Sequence, residues 1–86
     1  MVKSEYNLYY VIIGKFFKSK RAKAGLSIQN VADILKKSKG WYGDAERGRN
    51  RMTVEDCMKL CDIYHTDLGE LDKFIRASLK KDKTIK

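Results

Sequence analysis

The sequence predicts an all-α domain of five helices with extended first and last members, and three observations carry that expectation. At 86 residues the chain fits one domain, since domains run from about 50 to 250 residues and one this short buries only about 60–65% of its unfolded surface. With no Pro and 6 Gly it lacks the turn density of an all-β chain, while 43% apolar residues suffice for a core. Capping residues also recur at short intervals, each ahead of a run with helical apolar spacing. Length alone excludes a two-domain enzyme within these residues.

Taken in order, Glu5 to Ala24 holds no helix breaker except Gly14, and Tyr6, Tyr9, Tyr10, Ile13, Phe16, Phe17 and Ala24 share one broad face of a helical wheel. Gly25 ends this first helix in the left-handed position that satisfies the last carbonyls. Ser27 then caps a second helix, Ile28–Leu35, which turns Val31, Ala32 and Leu35 inward. Lys36 and Lys37 make a tight turn, Ser38 caps a third helix, Lys39–Arg47, and Gly48 stops it. Thr53 and Asp56 resemble a capping box opening a fourth helix, Val54–Tyr64, whose apolar stripe is Val54, Cys57, Leu60, Cys61 and Tyr64. Asp67 and Glu70 repeat that arrangement for the fifth, where Leu68, Leu71, Phe74 or Ile75, and Leu79 are spaced for burial. A single domain is expected over residues 1–80, with 81–86 as a basic tail.

The formal charge of +8 and a pI of about 9.6 favour polyanionic partners. Residues 15–51 hold eleven Lys and Arg against Asp33, Asp44 and Glu46, so they carry the whole excess. Glu55, Asp56, Asp62, Asp67, Glu70 and Asp72 make the fourth helix and the start of the fifth acidic, which orients docking on a phosphate surface. The longest apolar run, Leu8 to Ile13, falls far short of the roughly 20 residues of a membrane span, and no leader is expected with Glu5 and several tyrosines ahead of Lys15. The expected location is the cytoplasm. Cys57 and Cys61 fit neither a disulfide framework nor a Cys-x-x-Cys site and are expected as reduced thiols. With His65 they share a helix face, but a tetrahedral metal site would lack its fourth ligand, so neither metal nor cofactor is expected. No activated nucleophile or acid and base pair stands out, and enzyme activity is not expected.

Ser27 to Gly48 reads SIQNVADILKKSKGWYGDAERG. Two helices joined by so short a turn cross at a wide angle, so the second can enter the major groove while the first braces it across the backbone. Ala32 is small where the helices approach, and Leu35 and Tyr42 fill the wedge between them. Upstream stand Ile13, Gly14, Arg21, Gly25 and Leu26; downstream stand Glu46, Gly48, the fourth-helix stripe, Leu68 and Leu71. Over Ile13 to Leu71 this pattern resembles the lambda repressor-like helix-turn-helix family, also called the XRE family.

The resemblance implies a five-helix lambda repressor-like DNA-binding domain. It implies an ion pair between Arg21 and Glu46 that ties the third helix to the scaffold, and base reading by Lys39, Gly40, Trp41, Gly43 and Asp44. It places phosphate contacts at Gln29, Lys37, Ser38, Arg47, Arg49, Asn50 and Arg51. Lys39 can donate to a guanine edge or a phosphate, Trp41 can pack on a thymine methyl, and Asp44, which only accepts, suits cytosine N4. Trp41 has a second reading as a core aromatic. The chain departs from the family at Lys36, which replaces the turn glycine and is expected in a left-handed conformation, at Lys37, and at Ile28, with Gln29 one position late.

The function these features imply is a sequence-specific double-stranded DNA-binding transcriptional regulator of bacterial or phage repressor type. The competing reading is a protein-interaction module, an antirepressor or antitoxin-like partner that keeps the fold without base reading; a third is non-specific polyanion binding. Double-stranded DNA is the expected partner, with a protein antagonist and a homodimer as further ones. Dimer pairing would use Leu8, Val11 and Ile12 on the first helix and Phe74, Ile75 and Leu79 on the fifth, unless these extensions pack on each other within one chain.

Overall fold

The computed structural model describes the backbone of residues 2–81 and the side chains of residues 8–81. It has helices α1 (Val2–Ala24), α2 (Ile28–Leu35), α3 (Lys39–Glu46), α4 (Val54–Ile63) and α5 (Leu68–Lys81), with no strand among the described residues. The Tyr6 side chain and positions 82–86 of the basic tail lie outside the described residues. Helix α5 runs through Lys81, one residue past the expected boundary of the tail.

Local chemistry sets the helix starts. The Ser27 hydroxyl accepts from the Asn30 N–H at 3.0 Å and the Asn30 side chain accepts from the Ser27 N–H at 3.0 Å, a reciprocal box at the head of α2. Thr53 and Asp56 make the same pair of bonds at 3.0 and 3.1 Å ahead of α4, and Asp67 accepts from the Glu70 N–H at 2.9 Å ahead of α5. Lys36 is left-handed (φ 59°, ψ 42°), and the Lys36 and Lys37 N–H groups return to the Asp33 and Ala32 carbonyls at 3.1 and 2.9 Å. A lysine there costs roughly 1 kcal/mol relative to glycine, but it closes α2 abruptly, so α3 starts after only two further residues. His65, also left-handed at φ 56°, closes α4 in the same manner, with the Thr66 N–H on the Cys61 carbonyl at 2.9 Å.

Phe17, Val31, Tyr42 and Leu60 are fully buried at the centre, and Ala32 and Leu35 fill the α2–α3 crossing. Phe16 meets Phe17 edge to face at 5.1 Å, and the Tyr42 and Tyr64 hydroxyls share a buried hydrogen bond of 3.0 Å. Burial raises the pKa of both phenols and of Cys61, and pushes the Cys57 thiol up to about 11. These groups are neutral acids whose native state holds the proton longer than the unfolded chain does. Their stabilising effect is therefore complete below the unfolded thiol pKa of about 8.5 and is lost as pH rises. Urea midpoints should be flat with respect to these groups up to about pH 8 and decline from about pH 9 upward; an undiminished midpoint at pH 10 would contradict the buried placement.

Several expected faces are corrected. Ile12, expected on a free dimer surface, is buried at 5% exposure, whereas Tyr9, expected inside, is 48% exposed and Ala24 is also exposed. The cause is the phase of α1: its inward strip runs through Ile12, Phe16 and Phe17, because α3 and α5 pack on that side. Val54 and Leu68, expected in the core, are exposed, since each is the first residue after its cap and projects past the end of the core. Phe74 lies 5.4 Å from Phe16, ring centre to ring centre, and Phe74 and Ile75 pack against the core. Leu8, Val11 and Leu79 are half-buried. The two extended helices thus cover one another within the single chain, which withdraws much of the surface assigned to pairing.

Candidate nucleic-acid interface

Helix α3 is short and fixed from one side. Tyr42, Ala45 and Glu46 turn inward, and on a wheel of about 100° per residue the direction opposite them is held by Gly40, Asp44 and Arg47. Ser38 caps the helix by accepting from the Trp41 N–H at 3.0 Å. Lys39 and Gly40 are exposed at its first turn, and nothing approaches within 4 Å of a Cβ built at Gly40. Trp41 is half-buried against the core, with the Lys37 ammonium 4.9 Å from its ring centre. The indole thus packs on the core, as its reading as a core aromatic expects, and also supports a cation beside α3.

The inner end of α3 is held by Arg21. Its guanidinium is bidentate on Glu46, Nε to Oε2 at 2.7 Å and Nη2 to Oε1 at 3.0 Å, and its Nη1 donates to the Leu26 carbonyl at 3.0 Å. The Glu46 side chain is 4% exposed and that of Arg21 16%, and the hydrogen bonds to Glu46 raise the Arg21 pKa further. Helix α1 also crosses the end of α3 at two glycines. A Cβ on Gly14 would strike the Glu46 carbonyl and come within 2.7 Å of the Ala45 carbonyl, and one on Gly48, itself at φ 80°, would lie 2.7 Å from the Val11 Cα.

The other expected contact residues divide into two groups. Lys37, Arg47, Arg49 and Arg51 present exposed side chains around α3. Gln29 donates to Asp33 at 2.8 Å along α2, and the Asn50 amide donates to the Trp41 carbonyl at 3.0 Å. Asn50 thereby ties the basic loop to α3, a role its position in a loop did not announce. Gly43, expected on the exposed reading surface, is buried and is corrected accordingly: the Arg47 guanidinium lies over it, with Nη1 3.3 Å from where a Cβ would stand. Asp44 is half-buried and pairs with Arg47 at 3.0 Å. Arg47, expected as the last residue of the third helix, is the C-cap of α3 and continues its outward face, since Gly40, Asp44 and Arg47 follow helical spacing.

Cys57 and Cys61 are buried while His65 is exposed, and no group of three or more metal-ligating side chains is assembled among the described residues. No helix among the described residues is long and apolar enough to cross a membrane.

A family model described as a helix-turn-helix domain matches residues 12–74. No curated protein matches the chain.

Proposed function

The chain belongs to the helix-turn-helix domain family, and from that premise we propose that it is a sequence-specific double-stranded DNA-binding transcriptional regulator of bacterial or phage repressor type, acting in the cytoplasm by occupying an operator. The observation that carries this reading is the contrast between the two sides of α3. Its inner side is held by the Arg21–Glu46 pair, while its outer side and flanks offer Lys37, Lys39, Arg47, Arg49 and Arg51, all exposed. A rigid helix bordered by cations is what the major groove accepts: flanking cations neutralise phosphates and set the register, and the helix face meets base edges. Helix α4, with Glu55, Asp56 and Asp62 against Lys59, disfavours docking through its own surface.

Two classes of residue should respond differently. Arg49→Ala should weaken binding to every duplex and lower the salt slope by about one, as loss of one phosphate contact does. Lys39→Ala should instead alter which sequence is preferred. Titration against random and selected duplexes at several salt concentrations tests the reading itself, for which selected sites should bind at least about a thousandfold tighter than random ones. A ratio near one would leave a non-specific polyanion binder.

A further inference from the structure

We propose that Arg47, steered by Asp44 and seated on Gly43, reads a guanine of a G·C pair, with the Asp44 carboxylate turned to the paired cytosine; this rests on the DNA-reading function above and names the base pair that the outer face of α3 recognises. Arg47 is the C-cap of α3, and its N–H is held by the Gly43 and Asp44 carbonyls at 3.2 and 3.1 Å. Its side chain therefore starts from fixed helical backbone and not from a loop. The guanidinium turns back along the helix, Nη1 bonds Asp44 Oδ1 at 3.0 Å, and Nη1 and Nη2 stand 3.3 and 3.8 Å from the point where a Gly43 Cβ would be.

Stability does not account for this arrangement. The two side chains are 59% and 42% exposed, and exposed pairs of this spacing contribute little. Glycine at position 43 also forfeits the helix propensity that alanine would supply. What the arrangement does provide is an oriented fork. A bond to Asp44 engages one of five guanidinium donors, and the remaining ones suit the O6 and N7 acceptors of guanine, while a carboxylate accepts from cytosine N4. A phosphate contact needs charge without orientation, and a carboxylate beside the arginine would repel the phosphate. The pairing with Asp44 thus favours a base edge over the backbone as the target of Arg47.

The test is a selection from a pool of duplexes with randomised cores, using the full chain as wild type, Arg47→Lys, Asp44→Asn and Gly43→Ala, each checked by thermal melting. Wild-type sites should share a G·C pair whose replacement by A·T lowers wild-type affinity about 5- to 150-fold. Arg47→Lys keeps the charge and loses the fork, so it should no longer require that pair while retaining its other preferences. Gly43→Ala should melt no lower than wild type, because the obstructing atoms are the end of a flexible side chain, yet its discrimination at the same pair should fall. Identical site preferences for wild type and Arg47→Lys would overturn the assignment and leave Arg47 on phosphate with the DNA-reading function intact. Enrichment of no sequence by the wild type would overturn the DNA-reading function and the assignment with it.

Discussion

Arg21→Ala should destabilise the domain by about 3–5 kcal/mol, close to what breaking a buried ion pair costs when one partner stays behind. The reason lies in Glu46 more than in Arg21. Glu46 is 4% exposed along its side chain, and without the guanidinium its charge has neither water nor a cation to compensate its desolvation. The Leu26 carbonyl would lose its bond from Arg21 as well. Lys23→Ala, two residues along the same helix but exposed, should change stability by no more than about 0.5 kcal/mol. Adding Glu46→Gln to Arg21→Ala should recover a substantial part of the loss, since the orphaned charge is then gone. Urea unfolding of the four proteins reads all of this. Equal midpoints for Arg21→Ala and Lys23→Ala would mean that α3 is not anchored through this pair.

That pair also shows where sequence reasoning succeeds and on what. Ser27, Ser38, Thr53 and Asp67 could each be identified as caps because their partners lie three residues on, within the reach of a local pattern. Arg21 and Glu46 are 25 residues apart, and no spacing rule joins them; only the family resemblance suggested the contact. The phase of α1 was misjudged because its aromatic residues are spread around the wheel. Tyr9 and Ile12 are both plausible inward residues on composition, and the choice of Ile12 comes from the approach of α3 and α5, which a single-helix pattern does not contain. The burial of Gly43 is illegible for a related reason: glycine offers no side chain to place, and the group that covers it is the Arg47 guanidinium. Residues around the outward face of α3 are thus legible by position and illegible by conformation.

Gly14→Ala should destabilise by about 3 kcal/mol, at the upper end of what overpacking a well-filled interior costs, and so reverse the usual effect of this substitution. In a free helix interior alanine is better than glycine by up to about 1 kcal/mol, and Gly14 sits in the middle of α1. Its added methyl, however, would meet the Glu46 carbonyl oxygen and lie 2.7 Å from the Ala45 carbonyl oxygen and from the Glu46 carbonyl carbon. All three are backbone atoms of α3, which cannot rotate away as a side chain would, so relief requires the two helices to separate. Separation lengthens the Arg21–Glu46 bonds and moves Arg47, the residue after Glu46, so recognition of a selected duplex should fall even in the molecules that remain folded. Gly40→Ala is the matched comparison, because a Cβ there meets nothing within 4 Å and the same substitution should raise the melting temperature. Should Gly14→Ala melt at or above the wild type, the close passage of α1 over the end of α3 would be refuted, and with it the packing that holds α3 at its angle.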